Sequence, residues 1–525
     1  MQIYSFSPFG YEGALVSVEV DLRRGIPAVD IVGLADGAVR ESRERMQAAV
    51  RNSGFDFPPE RILISLSPAD LKKEGAGFDL PVALGVLCAS RKNQMNVNPL
   101  NGKVLVMGEL ELSGKVRSVK GIHAAVSTAA SAGITKCIVP AANADEAMEV
   151  DGISVYGADT LFNAFSALND SSFFTARNSG GANAFVPEGS TEINGVAFPP
   201  LPAGEDFSDI TGQKELVRAL QLAAAGGHNI LAVGAPGCGK TMAIRMMPSI
   251  MPLLTQEEAQ SVTRIWSLAG LLQPSEPLVR TAPFRIPHQT ATIEGICGGG
   301  VNCRPGEISL AHNGVLFLDE AAEFRTSVLQ MLRVPVETGS ITLSRAGRST
   351  IYPAQFQLAM AVNPCPCGNF GSRTKICLCS ARSIEQYWRK FSAPLLDRID
   401  LRVFVENGQE DENSAKAVRY GTASTTEIRE GIARATVFRR KRQTVKNARL
   451  RPDQIAEFCR MDSGAKSALE TAEAEYGFSP RASACCMKVA RTAADMDTSD
   501  IIKAEHIEEA IEYRKVCSSL VPEFQ

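Results

Sequence analysis

The stretch NILAVGAPGCGKT, residues 229–241, joins an apolar run of strand length to a segment typical of a helix. Its second half matches the phosphate-loop pattern G-x-x-x-x-G-K-[ST], placed between strand and helix as that motif requires. Backbone N–H groups of the glycines and the helix N-terminus favour a phosphate there. A chance glycine-rich turn, the alternative, does not account for strand, full motif and helix together. The sequence therefore predicts a nucleotide-binding loop formed by Gly234, Ala235, Pro236, Gly237, Cys238, Gly239, Lys240 and Thr241.

A second apolar run, Val315 to Leu318, ends in the acids Asp319 and Glu320. In phosphoryl transfer the loop lysine, Lys240, reaches the β- and γ-phosphates, while the loop hydroxyl of Thr241 and a strand-end carboxylate hold Mg²⁺. Asp319 lies where that carboxylate belongs, and Glu320 is placed to act as general base on the attacking water. The expected ligands are therefore ATP and Mg²⁺. Acids at a strand end are weak evidence alone, but they gain weight after a phosphate loop.

A third predicted strand ends at Asn363, whose amide could orient the attacking water; the alternative is a strand-capping asparagine. Arg398 follows in LLDRID, and Arg481 begins a predicted helix in FSPR. An arginine supplied by a neighbouring subunit accelerates hydrolysis by about 10³–10⁵. We therefore predict Arg398 as that finger and Arg481 as a second phosphate sensor. A salt bridge from Arg398 to Asp397 or Asp400 remains the alternative.

The four cysteines Cys365, Cys367, Cys377 and Cys379 lie in a C-x-C-x₉-C-x-C arrangement that matches the ligand count of a structural zinc site. The C-x-C spacing is tighter than the usual C-x₂₋₄-C, so four reduced thiols remain the alternative. The other nine of the 13 cysteines are scattered and are expected to behave as small apolar residues.

Composition is that of an ordinary globular protein, with 45% hydrophobic residues, 22% charged residues and a net charge of −3. A polyanion-binding surface must therefore be a local patch. The N-terminal residues lack the basic start and apolar core of a signal peptide, and no apolar stretch is long enough to span a membrane. We accordingly expect a cytoplasmic protein with no membrane partner.

Changes in composition divide the chain into five parts. Residues 1–165 alternate apolar runs with helical patterns, 166–205 form a Ser-, Gly- and Pro-rich linker, and 206–405 carry the nucleotide machinery. An acidic linker, 406–423, precedes a helical segment, 424–525. Within that segment, the basic cluster Arg439–Arg442 could be either a solvated helix face or a functional patch.

The blocks PFRIPHQT (283–290), GEISLAHNGVLFLDEAAEF (306–324), AVNPCPCG (361–368) and APLLDRIDL (393–401) resemble those of the ComM/YifB family. This family consists of magnesium-chelatase-like AAA+ ATPases, and the resemblance covers nearly the whole chain. It implies an α/β fold: a parallel AAA+ P-loop sheet with a C-terminal helical lid, preceded by an α+β domain. Cys238 in the phosphate loop and Gln289 in place of a second histidine are small departures.

The front domain resembles the Lon-protease type, also called ribosomal S5 domain 2-like, through GFDLPVALGVL and GELELSGKVRSVKGIHAAVSTAASAGITKCIVP. Such proteases use a Ser–Lys pair, and the matching positions here are Gly77 and His123. Neither residue can serve as that nucleophile or base. We therefore expect a scaffold or a nucleic-acid-binding domain in place of a protease.

For function, the resemblance implies a ring, expected to be a homohexamer, whose ATP sites are shared between subunits. It also implies a DNA motor, a helicase or branch-migration enzyme that integrates single-stranded DNA by homologous recombination in natural transformation. The residues offer a contact point, because ETGSITLSRAGRSTIY (337–352) is typical of a hairpin with Arg345 and Arg348 at its tip. The alternatives are a magnesium-chelatase-like ATPase that remodels a protein or metal-insertion complex, and a non-enzymatic scaffold.

Overall fold

Three parts of the chain can be followed in the computed structural model: a front domain (residues 2–176), a nucleotide domain (191–405) and a lid (424–520). The structure describes residues 2–34, 37–69, 71, 73, 75–91, 102–176, 186–210, 212–273, 276–300, 303–345, 348–371, 375–405 and 423–520. Residues 406–422, nearly all of the predicted acidic linker, lie outside this set. In the described part, every helix is too short or too polar to cross a membrane.

The front domain is a mixed eight-stranded sheet in the order β10-β9-β8-β5-β1-β2-β4-β3, with two further short strands forming the pair β6-β7. In β4, buried residues alternate with more exposed ones, as expected where only one face of the sheet is covered. The last three residues of β5 are all buried, as expected where both faces are covered. Its elements are β1 (Gln2–Ser7), β2 (Ala14–Arg23), β3 (Val29–Val32), α1 (Gly37–Asn52), β4 (Arg61–Ser67), α2 (Asp79–Arg91), β5 (Lys103–Val106), β6 (Glu109–Leu110), β7 (Val116–Arg117), α3 (Ile122–Ser131), β8 (Lys136–Pro140), α4 (Ala144–Met148), β9 (Ser154–Ala158), α5 (Leu161–Ala167) and β10 (Thr175–Ala176).

The nucleotide domain is built on a five-stranded parallel sheet in the order β14-β17-β20-β13-β21. Its three central strands are completely buried, because helices cover both faces and the strands are unbroken apolar runs. The elements are β11 (Thr191–Ile193), β12 (Val196–Phe198), α6 (Lys214–Gly226), β13 (Ile230–Gly234), α7 (Lys240–Arg245), α8 (Met247–Ile250), α9 (Gln256–Ala269), β14 (Phe284–Arg285), α10 (Ile293–Cys297), β15 (Gly298–Gly299), β16 (Arg304–Pro305), α11 (Glu307–Leu310), β17 (Val315–Leu318), α12 (Thr326–Met331), α13 (Arg333–Thr338), β18 (Ser340–Arg345), β19 (Arg348–Pro353), β20 (Gln357–Val362), α14 (Ala381–Trp388), α15 (Ala393–Leu396) and β21 (Leu401–Val405).

Five helices form the lid, and three of them begin at a Ser or Asp whose side chain accepts a backbone N–H of the first turn. The helices are α16 (Thr425–Arg442), α17 (Pro452–Phe458), α18 (Ser463–Tyr476), α19 (Pro480–Met496) and α20 (Ala504–Leu520). The predicted architecture, a parallel sheet with a helical C-terminal lid preceded by an α+β domain, is therefore confirmed.

The hairpin β11-β12, which lies within the predicted linker 166–205, packs on the nucleotide domain. The fully buried Arg429 of α16 holds it, donating to the hydroxyl of Thr191 at 2.9 Å and to the carbonyl of Pro199 at 2.8 Å. The same guanidinium lies 5.3 Å from the centre of the Phe198 ring. This part of the segment therefore belongs to the core that joins the nucleotide domain to the lid.

The front domain contacts the nucleotide domain mainly through α9. Arg264 of α9 donates to the carbonyls of Tyr11 and Glu12, both at 3.0 Å, and to the hydroxyls of Ser127 at 3.1 Å and Thr128 at 3.0 Å. Its guanidinium also lies 4.8 Å from the centre of the Tyr11 ring. One nearly buried arginine therefore joins the β1–β2 loop and helix α3 of the front domain to the nucleotide domain.

Candidate functional site

The phosphate loop follows β13 and has the backbone shape that an anion cradle needs. Gly237 (φ 82°) and Gly239 (φ 88°) adopt left-handed conformations that favour glycine, and a Cβ at either position would meet nothing within 4 Å. The Lys240 ammonium donates to the carbonyls of Gly234 at 2.7 Å and Ala235 at 2.8 Å. An open concave backbone with a lysine at its rim fits the phosphates of a nucleotide.

Thr241 and Asp319 come together at the same edge of the sheet. Thr241 lies in the first turn of α7 and Asp319 follows β17, and the threonine Oγ1 donates to Asp319 Oδ1 at 2.9 Å. A hydroxyl and a carboxylate at hydrogen-bond distance beside a phosphate loop are the oxygen donors that Mg²⁺ takes in such sites. These two residues therefore fit the ion that the sequence predicts.

Glu320, the predicted general base, has a left-handed backbone (φ 48°), unusual for a residue with a side chain. Its Oε2 accepts a hydrogen bond from Gln289 Nε2, in the segment between β14 and α10. The Gln289 amide therefore occupies one oxygen of the carboxylate that is predicted to bind the attacking water. Asn363 directly follows Val362, which pairs with Val233, so Asn363 lies at the strand edge beside the phosphate loop.

Gln213, which the sequence analysis did not single out, supports the phosphate loop from behind. Its buried side chain donates to the carbonyl of Cys238 at 3.1 Å. On the other side of the loop, Gly368 packs against Pro236 so closely that a Cβ on Gly368 would lie 2.5 Å from the Pro236 ring. A glutamine before a helix carries no local pattern, so this support could not be recognised without the fold.

Arg398 and Arg481 lie near the amino ends of the parallel strands, whereas the phosphate loop lies at their carboxyl ends. The carbonyl of Arg398 accepts from Asn229 Nδ2 at 2.8 Å, and Asn229 directly precedes β13. The phosphate loop follows β13, and a strand of five residues spans about 16 Å. Arg398 therefore lies a full strand length from the phosphate loop of its own chain.

The salt-bridge alternatives for Arg398 do not form. In the described part of the chain, Asp397 pairs with Arg514 at 2.8 Å and Asp400 with His228 at 3.4 Å. Arg398 pairs with Glu337, whose other oxygen accepts from Arg481 at 3.3 Å. The structure thus brings the two predicted arginines together on one carboxylate that the sequence analysis missed.

The four predicted zinc ligands form a cluster beside the nucleotide site. Their Sγ atoms all lie within 4.8 Å of one another. The distances are 3.3 Å for Cys365–Cys367, 3.7 Å for Cys365–Cys377 and 3.6 Å for Cys367–Cys377. Zinc–sulfur bonds of 2.3 Å in a tetrahedron place sulfur atoms about 3.8 Å apart. The observed sulfur–sulfur distances are close to this value, so the four thiols fit Zn²⁺ by their spacing.

The hairpin predicted to contact DNA is formed by β18 and β19, and Arg345 pairs with Arg348 at the end next to the turn. Residues 346–347 and both arginine side chains lie outside the described part of the structure. Strand β19 of the hairpin contacts the front domain, because Tyr11 N donates to Thr350 Oγ1 at 3.1 Å and the Tyr11 and Tyr352 rings meet edge to face.

At the positions that match the Lon Ser–Lys pair, Gly77 lies in a short 3₁₀ turn and His123 in the first turn of α3. The His123 ring is only 2% exposed, and burial lowers its pKa to about 3. A glycine and a neutral, buried imidazole supply neither the nucleophile nor the base of a protease.

The loop, the acids and the neighbouring strand edge define a P-loop ATPase of the AAA+ type. The magnesium chelatase subunit ChlI models match residues 18–143 and 206–413, and its C-terminal model matches 422–514. The chain is 37% identical to the uncharacterized protein YifB of Escherichia coli over 520 residues, 99% of this chain and 98% of YifB. It is 36% identical to the competence protein ComM of Haemophilus influenzae over 513 residues, 98% and 97% of the two chains.

The chain therefore belongs to the YifB/ComM family of magnesium-chelatase-like ATPases. A shorter match is to the Lon protease of Clostridioides difficile, 29% identical over 135 residues, which are 24% of this chain and 16% of that protein.

Proposed function

We propose that the chain is an ATP-driven, ring-forming motor of the cytoplasm that moves on DNA and completes its catalytic sites between neighbouring chains. The observation that carries the proposal is the position of Arg398. It lies at the amino end of the sheet, while Lys240, Thr241, Asp319 and the edge beside Asn363 lie at the carboxyl end. An arginine so far from its own phosphate loop can serve only the site of another chain, as closed rings allow.

In this assignment each residue has a separate task. Thr241 and Asp319 would hold Mg²⁺, which neutralises charge on the phosphates. Glu320 takes the proton of the attacking water once Gln289 no longer occupies its carboxylate, and Asn363 orients that water. Arg398 of the neighbouring chain stabilises the charge that develops on the transferred phosphoryl group.

The DNA part of the proposal rests on the hairpin β18-β19 and on the full-length relative that is a competence protein. Six copies of a hairpin with arginines at its tip would line a pore and attract a phosphate backbone. The substrate we propose is single-stranded or branched DNA, which the motor extends by branch migration during uptake and recombination in natural transformation.

Strand exchange on a three-stranded DNA substrate tests this function, with native protein compared with Lys240→Ala. We expect ATP-dependent branch movement from the native protein and none from the variant. Arg345→Ala with Arg348→Ala should keep ATP turnover without DNA and lose strand exchange. If DNA neither binds nor raises turnover, while a protein client is retained in a pull-down, the magnesium-chelatase-like remodeller is favoured, as the family models suggest.

We also propose that Cys365, Cys367, Cys377 and Cys379 hold a structural Zn²⁺. All four ligand positions would be filled by protein, so the ion would fix the loop that packs on Pro236 and would not act on substrate. Elemental analysis of the purified chain tests this directly. A protein purified without chelators that contains no zinc would contradict it.

A further inference from the structure

Glu337, in the last turn of α13, holds two arginines that come from distant parts of the chain. Its Oε2 accepts from Arg398 Nη2, 61 residues away, and its Oε1 accepts from Arg481 Nη2 at 3.3 Å, 144 residues away. The hydrogen bond from Arg398 is the main cause that lowers the pKa of Glu337, so the carboxylate stays ionised at neutral pH. One anionic group therefore fixes both predicted phosphate-binding side chains.

The two arginines are held to different degrees. The Arg398 side chain is only 10% exposed, and its Nη1 donates to the carbonyl of Pro394. Its buried Nε finds no hydrogen-bond partner within the described residues. The Arg481 side chain is 45% exposed. Arg398 is therefore docked against its own chain, and its guanidinium must leave Glu337 before it can bind a phosphate on another molecule.

Glu337 is also directly connected to the hairpin. Helix α13 ends at Thr338, Gly339 follows with a left-handed backbone (φ 68°), and β18 begins at Ser340. The carbonyl of Gly339 accepts the N–H of Ala354 at 2.8 Å, which closes the base of the hairpin. Only two residues separate Glu337 from the first residue of β18, so a displacement of the Glu337 backbone would also move the base of the hairpin.

We propose that Glu337 is a positioning residue that competes with the γ-phosphate of a neighbouring chain for Arg398, and that this competition couples hydrolysis at that neighbour to the hairpin. Carboxylate and phosphate are both anionic oxygen acceptors that bind guanidinium in the same forked geometry, so one acceptor displaces the other. The inference rests on the proposed function, because it needs catalytic sites shared between chains and a hairpin that contacts DNA.

The test compares Glu337→Gln with the native chain, and with Glu470→Gln as a matched loss of charge on the exposed face of α18. ATP turnover is measured with and without forked DNA, after mass photometry has confirmed equal assembly. A partly exposed ion pair is weak, so we expect kcat without DNA to rise about two- to five-fold in Glu337→Gln, with KM nearly unchanged. The further increase on adding DNA should be lost, and Glu470→Gln should match the native chain.

Two more variants separate this role from a purely structural one. Arg398→Ala should abolish the rise when combined with Glu337→Gln, because the rise depends on the released arginine. Glu337→Asp, which keeps the charge on a shorter side chain, should return kcat towards the native value. If Glu337→Gln lowers kcat, or keeps the native response to DNA, the inference is wrong. Should Glu337→Gln not fold, the same two outcomes in Glu337→Ala, which also removes the carboxylate, would refute it.

Failure of the proposed function would look different. In that case Arg398→Ala alone would retain native turnover, or DNA would leave the turnover of the native chain unchanged. If those two experiments succeed and Glu337→Gln behaves as the native chain does, the shared ATP site stands and only the competition at Glu337 is refuted.

Discussion

Replacing Arg264 with alanine should detach the front domain from the nucleotide domain without unfolding either. The side chain makes four hydrogen bonds across the interface and one cation–π contact with Tyr11. Each hydrogen bond contributes about 1 kcal/mol after exchange with water, and the ring contact adds about 1 kcal/mol. Ordering the long side chain costs about 2 kcal/mol, so the net loss is about 3 kcal/mol. This corresponds to roughly a hundredfold shift towards the detached form.

Amide hydrogen exchange measures this loss at a defined position. The N–H of Gly121, in the front domain, donates to the carbonyl of Ser267 in α9 at 3.1 Å, so it exchanges only when the interface opens. We expect its exchange to accelerate by about a hundredfold in Arg264→Ala, while the amides of the buried strand β13 remain unchanged. Arg382→Ala, which removes an exposed arginine of α14, is the control. Native protection at Gly121 in Arg264→Ala would refute the assignment of Arg264 as the main link.

Three further predictions concern the catalytic site, the front domain and the thiols. Glu320→Gln should lower kcat by about 10²–10⁴ in steady-state turnover, while a fluorescent ATP analogue still binds with native affinity. Burial lowers the pKa of His123 from 6.5 to about 3 in the folded chain, so its contribution to stability is complete above pH 6.5 and is lost as the pH falls below it. The front domain should therefore lose about 2 kcal/mol near pH 5, and His123→Met should remove that loss in urea unfolding at two pH values. Cys367→Ser should reduce zinc content from about one ion per chain, measured by elemental analysis, whereas Cys88→Ser outside the cluster should not.

The parallel sheet and the residues at its carboxyl edge could be predicted because local patterns determine them. A phosphate loop must follow a strand and precede a helix, and parallel strands place their carboxyl ends side by side. Those two rules predict that Thr241 and Asp319 lie side by side. In the structure Thr241 Oγ1 lies 2.9 Å from Asp319 Oδ1, although 78 residues separate them. The cluster of four cysteines could also be predicted from the sequence, because all four lie within fifteen residues.

The partners of the arginines could not be predicted in this way. Glu337 lies in a short helix with no motif, and its contacts with Arg398 and Arg481 exist only after three separate elements have packed. The basic cluster Arg439–Arg442 shows the same limit. Arg439 is buried and donates to the carbonyls of Thr444 and Val445, and Arg442 pairs with the buried Asp495. Two of these charges therefore stabilise the lid, which net charge along a sequence cannot reveal.

The hairpin β18-β19 connects the separate features of this chain, because residues at its base and along its strands contact three of them. Gly339 joins it to the helix that carries Glu337, Thr350 accepts the N–H of Tyr11 in the front domain, and a Cβ on Gly298 would lie 3.2 Å from Leu343 of β18. Gly298 ends the segment that carries Gln289, the residue hydrogen-bonded to Glu320, the predicted general base. A force on the hairpin tip would therefore act on the arginine pair, on the front domain and on the segment beside Glu320 together. Because Arg264 and the hairpin hold the same tyrosine, weakening the front-domain interface should also alter how strongly DNA changes ATP turnover.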